Sequence, residues 1–283
     1  MEIKKVGVVG CGQMGSGIAQ VCAQSGYQVV VSEINDELLN KGLASINSSL
    51  SKSVEKGKLS QQDKDATLGR IKGTTNTKDF NGCDLLIEAA IENMDLKKKM
   101  FAELDKICPK HTILASNTSG LSIIDMAMVT SRPDKVLGLH FFNPAPLMQL
   151  LEIVKTIATS DDTLETGKSF GKSLGKSIVI AKDTPGFIVN RLVTSFMLNA
   201  IRMLEAGVAT REDIDTAVKL GLNHPMGPLE LCDFIGLDVV YAMGATVYEG
   251  FKDSQYVPPP LLAKMVTAGW LGRKTGKGFY NYK

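Results

Sequence analysis

The segment around His140 contains the residue types of a general acid/base pair. The apolar run 136–142 is short and rich in β-forming residues, which predicts a buried strand, and the Asn-Pro step that follows ends it because proline cannot donate to a ladder. His140 is therefore predicted close to the end of a strand. The next extended segment, 150–154, has Glu152 as its only charged side chain, and a buried carboxylate needs a partner.

A glutamate beside a histidine is consistent with two interpretations. A carboxylate holds an imidazole in one tautomer and stabilises its protonated form, as general acid/base catalysis requires. A partly buried histidine that is satisfied by a structural carboxylate uses the same two residue types. This segment alone leaves both interpretations open, so the other motifs of the chain have to decide between them.

A glycine-rich loop near the N-terminus predicts a phosphate-binding turn. Residues 3–9 are predicted to form a strand, a helix with apolar periodicity ends at Gly26, and residues 28–32 are predicted to form a second strand. In the G-x-G-x-x-G turn between strand and helix, the glycines allow a tight turn, close approach of a pyrophosphate and helix packing. We predict a dinucleotide site that includes Gly10, Gly12, Gln13, Met14 and Gly15. A glycine-rich turn without a ligand is the alternative.

Glu33 follows the second predicted strand, where an acidic residue accepts hydrogen bonds from the adenosine ribose in dinucleotide-binding folds. A carboxylate at this position also repels a 2′-phosphate. The sequence therefore favours NAD over NADP as the cofactor, although the neighbouring Ser32 leaves some tolerance for NADP.

Lys52 and Lys56 lie four residues apart and share one face of a predicted helix. That helix begins at Asn35 and Asp36, and a second polar helix is predicted over 60–70. The two helices form a hairpin rich in charge and serine, which we expect to project from its domain. Lysines at this spacing either bind a phosphate or form an ordinary solvated face, and the spacing alone favours the solvated face.

The composition is that of an ordinary globular protein. The 283 residues are 44% hydrophobic and 22% charged, and a net charge of +2 gives no general reason to expect a nucleic-acid partner. No run of about 18 apolar residues is present, so no membrane span is predicted. The five cysteines form no Cys-x-x-Cys pair, and no cluster of histidines and cysteines has metal-ligand spacing. This pattern favours a reducing cytoplasm and predicts no metal site.

The secondary-structure pattern changes after an Asp-Thr-Pro-Gly break. Before it, strands alternate with helices, which predicts an α/β Rossmann-type dinucleotide-binding domain over 1–183. After it, strands disappear and helical patterns continue between proline breaks, which predicts an all-α C-terminal domain over 184–283. The first helix of that domain, 187–205, is predicted to bury an apolar stripe that includes Ile188 and Leu192.

Taken together, the motifs resemble those of the L-3-hydroxyacyl-CoA dehydrogenases, and most closely the single-function bacterial 3-hydroxybutyryl-CoA dehydrogenases. The resemblance runs the whole length of the chain. It is carried by Gly10-x-Gly12-x-x-Gly15, Glu92-Asn93, Ser116 to Ser119, Leu-His-Phe-Phe-Asn-Pro at 139–144, Leu151-Glu152, Pro-Gly-Phe-Ile-Val-Asn-Arg at 185–191 and the Gly272 to Tyr280 segment. The His-Phe-Phe-Asn-Pro segment with Glu152 after it is far more specific than the glycine loop.

The resemblance implies roles for individual residues. His140 would be the acid/base on the substrate C3 oxygen, with Glu152 as its orienting partner, and Ser119 and Asn190 would hydrogen-bond the substrate's oxygens. The positions that lie near the nicotinamide and its ribose match Glu92, Lys97, Asn117, Asn143 and, in the C-terminal turn, Lys274. Because a coenzyme A substrate carries phosphates, Lys52 and Lys56 are then expected to contact them.

The implied reaction is hydride transfer between NAD and a 3-hydroxyacyl-CoA, such as the interconversion of acetoacetyl-CoA and (S)-3-hydroxybutyryl-CoA, by a cytoplasmic homodimer. Two other functions share the nucleotide domain: a β-hydroxyacid or 6-phosphogluconate-type dehydrogenase, and a non-enzymatic dinucleotide-binding relative. The former enzymes generally use a catalytic lysine, so His140 and Glu152 argue against them. The intact set of Ser119, His140, Glu152 and Asn190 argues against a non-enzymatic protein.

Overall fold

The computed structural model describes residues 1–282, which divide into two compact units: Met1–Asp183 and a segment that begins at Thr184. The strands are β1 (Lys5–Val9), β2 (Gln28–Ser32), β3 (Ile71–Thr74), β4 (Leu85–Glu88), β5 (Ile113–Ser116), β6 (Val136–Phe141), β7 (Leu150–Lys155) and β8 (Ser177–Lys182). All eight belong to the first unit and form one sheet in the order β3-β2-β1-β4-β5-β6-β7-β8. The first six follow the strand order of the Rossmann dinucleotide-binding fold.

One antiparallel pairing determines where the predicted acid/base residues lie. Every neighbouring pair of strands is parallel except β6 and β7, which run in opposite directions. In the register of that pair, His140 lies directly opposite Glu152. The parallel strands β1, β2, β4, β5 and β6 all end at the same edge of the sheet, which is where ligands bind in folds of this kind.

The helices of the first unit are α1 (Gln13–Gln24), α2 (Asp36–Glu55), α3 (Gln61–Gly69), α4 (Met94–Ile107), α5 (Ile123–Ala127) and α6 (Asp161–Ser173). The predicted starts of the two hairpin helices are confirmed, because Asn35 and Ser60 each accept a hydrogen bond from the N–H three residues on. The hairpin joins the unit through α2, which buries Leu39, Ile46 and Leu50 in the core beside the sheet. Helix α3 buries only Thr67, as its polar sequence predicts.

Strand β3 is an element that the sequence analysis misses. Its four residues read Ile-Lys-Gly-Thr and carry only one buried side chain, that of Thr74. The strand lies at the edge of the sheet and pairs with β2 alone. An edge strand of this length has no hydrophobic alternation to detect, so only pairing with its neighbour defines it.

The second unit is built from helices α7 (Val189–Glu205), α8 (Arg211–Gly221), α9 (Pro228–Ile235), α10 (Leu237–Phe251) and α11 (Pro260–Thr267). The predicted α/β fold with a helical C-terminal part is therefore confirmed. Apolar side chains from these helices form a core of their own, which includes Met197, Leu198, Ile201, Leu229 and Val240.

The predicted buried stripe of α7 is wrong at Ile188 and Leu192, whereas its later positions hold, because Ala200 is buried and Phe196 and Leu204 pack against the core. Leu192 is 67% exposed and Ile188 is 37% exposed, whereas Met197, Leu198 and Ile201 are buried. The helix carries apolar residues on more than one face, so its periodicity fits several stripes and packing within the unit selects one.

No single helix within residues 1–282 is both long and apolar enough to cross a membrane. One pair, α9 and α10, meets the length and composition test only when its two helices are taken together, and this pair is bent by 100° at its break.

Candidate active site

The antiparallel pairing of β6 and β7 brings His140 and Glu152 into direct contact. Nδ1 of His140 lies 2.7 Å from Oε2 of Glu152. The histidine is 4% exposed and the glutamate is fully buried, so water does not screen the interaction. The ring of Phe142 packs against the imidazole with ring centroids 4.5 Å apart. When Nδ1 donates to the carboxylate, the ring orientation and the tautomer are fixed, and Nε2 is the nitrogen that can exchange a proton with a ligand.

Asn117 lies at the end of β5 and connects three neighbouring strands. Its backbone N–H donates to the carbonyl oxygen of Glu88 at 2.8 Å, and its side-chain oxygen accepts from the N–H of Phe141 at the same distance. The residue is buried. Asn117 therefore has a structural role at the end of the His140 strand. The nicotinamide contact that the family resemblance implies for it stays a prediction.

Glu92, Lys97 and Ser119 meet in one polar cluster beyond β4 and β5. The Lys97 ammonium is 1% exposed and lies 3.4 Å from a carboxylate oxygen of Glu92. The same glutamate accepts from the hydroxyl of Thr118 at 2.5 Å and from the backbone N–H of Ser119 at 3.0 Å. Residues that were predicted separately for the cofactor and for the substrate are thus linked by hydrogen bonds within the first unit.

Glu88 is a member of this cluster that the sequence analysis misses. It is the last residue of β4, is fully buried, and accepts from the Lys97 ammonium at 2.6 Å. The available signal is a lone carboxylate in an otherwise apolar strand, which is the same signal that identifies Glu152.

The glycine loop has the geometry of an open phosphate cradle. Gly10 has φ +94°, a conformation that side-chain-bearing residues rarely adopt. A Cβ at Gly15 would lie 1.9 Å from the carbonyl oxygen of Gly10, whereas a Cβ at Gly12 would meet nothing within 4 Å. Gly12 also begins α1, where no side chain caps the first turn. The approach to Gly12 and the positive end of the helix is open, as a pyrophosphate requires.

Glu33 lies beside this loop at the end of β2. One of its carboxylate oxygens accepts from the N–H of Cys11 at 2.9 Å and the other accepts from the N–H of Ile34 at 3.0 Å. Both oxygens retain lone pairs for ribose hydroxyls. The glycine loop and the start of α1 offer N–H donors for a pyrophosphate, and the Glu33 carboxylate offers acceptors for a ribose. This combination fits NAD.

The cysteines of the chain are free and buried. Burial, together with the charge of Glu33, raises the pKa of the Cys11 thiol to about 11, so this residue of the glycine loop acts as a small packing group. In the part of the chain that the structure describes, no group of three His, Cys, Asp or Glu side chains could hold a metal ion.

Lys52 and Lys56 line a groove of about 650 Å³ within the first unit. Its other walls include Gln13 of the glycine loop and the loop that begins at Asn143. Lys58, which the sequence analysis does not single out, lines the same groove. Three lysines around one groove are an arrangement that attracts phosphate groups.

Two predicted site residues, Asn190 and Lys274, lie in the second unit. Asn190 is in the first turn of α7, and the Lys274 ammonium forms an ion pair with Asp238 at 2.5 Å. Their predicted contacts with substrate and cofactor stay predictions. Another histidine, His111, is paired with a carboxylate, because its Nε2 lies 3.1 Å from Oδ1 of Asp84.

The strand order and the open glycine loop define a dinucleotide-binding protein, and comparisons with known proteins identify its family. Residues 5–184 match the family model of the 3-hydroxyacyl-CoA dehydrogenase NAD binding domain, and residues 186–282 match that of the 3-hydroxyacyl-CoA dehydrogenase C-terminal domain. The chain therefore belongs to the 3-hydroxyacyl-CoA dehydrogenase family. It is an NAD-dependent oxidoreductase.

Individual relatives agree with this assignment. The chain is 47% identical to a 3-hydroxybutyryl-CoA dehydrogenase of Bradyrhizobium diazoefficiens, over 99% of this chain and 96% of that protein. It is 45% identical to the mitochondrial hydroxyacyl-coenzyme A dehydrogenase of Sus scrofa, over 99% and 92% respectively. The crystal structure of (S)-3-hydroxybutyryl-CoA dehydrogenase from Ralstonia eutropha superimposes with a TM-score of 0.98 at 46% identity and covers both chains completely.

Proposed function

We propose that the chain interconverts acetoacetyl-CoA and (S)-3-hydroxybutyryl-CoA, with NAD as the hydride carrier. The observation that carries the proposal is the buried contact between His140 and Glu152 at 2.7 Å. A buried imidazole with a fixed tautomer is suited to move a proton to and from one oxygen atom. The similarity to 3-hydroxybutyryl-CoA dehydrogenases supports this substrate pair.

A bound nicotinamide cofactor would supply the hydride to C3 of the substrate as NADH in reduction and accept it as NAD⁺ in oxidation. His140 gives a proton to the C3 oxygen during reduction and takes the hydroxyl proton during oxidation, so the imidazole changes its charge in each turnover. Glu152 holds Nδ1 and stabilises the imidazolium form.

Other residues hold the two ligands. The pyrophosphate would be held by the glycine loop, at Gly10, Gly12, Gln13, Met14 and Gly15. Glu33 would accept hydrogen bonds from the adenosine ribose, and its charge favours NAD over NADP. In the family pattern, the nicotinamide and its ribose would be contacted by Glu92, Lys97, Asn117, Asn143 and Lys274. The substrate would accept or donate hydrogen bonds at Ser119 and Asn190. Lys52 and Lys56 would contact the phosphates of coenzyme A from the groove that they line.

We further propose that the protein works in the cytoplasm as a homodimer formed through its second unit. Exposed apolar side chains of that unit support self-association, since Leu192 is 67%, Leu220 81% and Phe234 59% exposed. Sedimentation at several protein concentrations tests the homodimer, and a protein that is monomeric at all of them would contradict the proposed dimer.

The reaction is tested by following NADH absorbance with acetoacetyl-CoA, beside NADPH and beside free acetoacetate. We expect rapid oxidation of NADH with the thioester only. A well-folded protein that binds NADH but gives no turnover with acetoacetyl-CoA would contradict the proposal and direct attention to the β-hydroxyacid dehydrogenases.

A further inference from the structure

Glu88 occupies a central position in the polar cluster at the ends of β4 and β5. Its carboxylate accepts three hydrogen bonds: from the Lys97 ammonium at 2.6 Å, from the Ala90 N–H at 2.7 Å and from the Ser116 hydroxyl at 2.6 Å. Glu88 is fully buried and Lys97 is 1% exposed. Both side chains are almost completely shielded from water in this structure. The proposed function gives Lys97 a cofactor contact, but it gives no role to Glu88, which holds the Lys97 ammonium.

The first connection from Glu88 leads through Lys97 to Glu92. The ammonium is held between Glu88 at 2.6 Å and Glu92 at 3.4 Å, and it also donates to the carbonyl oxygen of Ala90 at 3.3 Å. Removal of one charge from a buried ion pair strongly destabilises the fold, because the other charge stays buried without compensation. Without the Glu88 charge, the ammonium would be drawn towards Glu92, its remaining anion.

The second connection leads through Ser116 to the loop that contains Ser119. The Ser116 hydroxyl donates to Glu88 and accepts from the N–H of Thr118 at 3.1 Å. The Thr118 hydroxyl and the Ser119 N–H both donate to Glu92. Both connections from Glu88 therefore converge on the carboxylate of Glu92.

We propose that Glu88 is a positioning residue that couples the cofactor contacts of Lys97 and Glu92 to the substrate contact of Ser119. The inference rests on the proposed function, because those three roles belong to it. Because Glu88 is fully buried, its proposed role is indirect and acts through Lys97 and Ser116. It fixes the position of one buried cation and one serine loop, so that cofactor and substrate meet a single prearranged cluster.

The test compares Glu88→Gln with a matched control in steady-state kinetics and NADH binding. Glutamine keeps the shape of the side chain and removes its charge. We expect kcat/KM for acetoacetyl-CoA to fall about tenfold or more, with weaker NADH binding. The control is Asp105→Asn, which removes another buried carboxylate that is paired with a buried arginine, Arg132, at 2.6 Å. It should lower the unfolding temperature and leave the kinetic constants within about twofold.

A double-mutant cycle separates positioning from general damage to the fold. In a Lys97→Met background the ammonium is already absent, so Glu88→Gln should cost far less than it costs in the wild type. Asp105→Asn should have the same effect in both backgrounds. If Glu88→Gln is too unstable to purify, Ser116→Ala breaks only the second connection and should raise the KM for acetoacetyl-CoA more than that for NADH.

The inference would be overturned by unchanged kinetics in Glu88→Gln, by the same kinetic losses in Asp105→Asn, or by full independence of Glu88 and Lys97 in the cycle. Unchanged KM values in Ser116→Ala would overturn it in the same way. A wild-type protein without turnover would instead contradict the proposed function, so the two failures are distinguishable.

Discussion

At the scale of single residues, the chemistry of the site depends on carboxylates that lie where the surrounding sequence is apolar. Glu152 is the only charged residue between the two ends of β7, and Glu88 is the only charged residue of β4. The partner of Glu152 is a buried imidazole, and the partner of Glu88 is a buried ammonium. The sequence identifies Glu152 because His140 precedes it in a recognisable segment. Glu88 is missed because its partner Lys97 looks like one of several lysines on an amphipathic helix, and only the fold shows which of them is buried.

Glu152→Gln should lower kcat for acetoacetyl-CoA reduction by about 10²–10⁴-fold. Glutamine retains a hydrogen bond to Nδ1 but loses the charge that stabilises the imidazolium. Steady-state kinetics measure the loss, and fluorescence titration should find the Kd for NADH unchanged within about threefold. Near-normal turnover in this variant would indicate that the contact between Glu152 and His140 has only a structural role.

Glu33→Gln should weaken the preference for NADH over NADPH. The charge that repels a 2′-phosphate is removed while an acceptor for the ribose remains, so kcat/KM with NADPH should rise by about tenfold and that with NADH should fall severalfold. Glu37→Gln, an exposed change in the first turn of α2, is the control. An unchanged ratio of the two kcat/KM values would show that Glu33 does not select the cofactor.

At the scale of secondary-structure elements, local signals predict where helices begin better than which faces they bury. Asn35 and Ser60 cap the hairpin helices as their residue types predict. The buried face of α7 is not predictable in the same way, because it depends on which neighbours pack against a helix that is apolar on several sides. Strand β3 is not predictable for a similar reason, because only its pairing with β2 defines it.

Neutralising the hairpin lysines should raise the KM for acetoacetyl-CoA severalfold and leave that for NADH nearly unchanged. The variant is Lys52→Gln with Lys56→Gln, since both residues line the groove of the first unit. Lys41→Gln is the matched control, because Lys41 is an exposed lysine of the same helix outside that groove. Equal KM values in the double variant and the control would indicate an ordinary solvated face.

Gly42→Ala should destabilise the protein and weaken NADH binding, although alanine is the better helix former by about 1 kcal/mol. A Cβ at Gly42 would lie 2.2 Å from the carbonyl oxygen and 2.3 Å from Sγ of Cys11, so α2 would have to move away from the glycine loop. Gly69→Ala is the control, because a Cβ there meets nothing within 4 Å. Thermal unfolding and NADH titration compare the two, and equal results would contradict a tight contact at Gly42.

At the scale of the whole molecule, the free energy of unfolding should fall in acid, because carboxylates whose pKa is lowered in the folded state become protonated. Burial raises the pKa of Asp105, but hydrogen bonds from Ser131 and the charge of Arg132 outweigh it and hold the pKa below its usual range. A group of this kind stabilises the fold above its unfolded pKa of about 3.9, and that contribution is lost as the pH falls through the folded value.

Asp105→Asn should therefore be less stable than the wild type at pH 7, and the difference between them should shrink as the pH falls below about 4. Urea unfolding between pH 3 and pH 7 measures both free energies. A difference that is independent of pH would contradict the lowered pKa of Asp105.

The whole-chain organisation is the part that the sequence predicts best. Alternating strands and helices followed by helices alone indicate the order of the two units, because this pattern extends over many residues. The contacts that join Glu88, Lys97, Glu92 and Ser119 are not predictable in this way, since they connect residues from separate strands, helices and loops that only the folded sheet brings together.

The acid/base role of His140 is tested most directly by single-turnover hydride transfer in His140→Ala, with NADH and acetoacetyl-CoA both saturating. Under these conditions binding does not limit the rate, so the loss of NADH absorbance reports the chemical step. We predict a rate about 10²–10⁴-fold below that of the wild type, with the Kd for NADH little changed. A rate within about threefold of the wild type would contradict the acid/base assignment, while the dinucleotide site would remain.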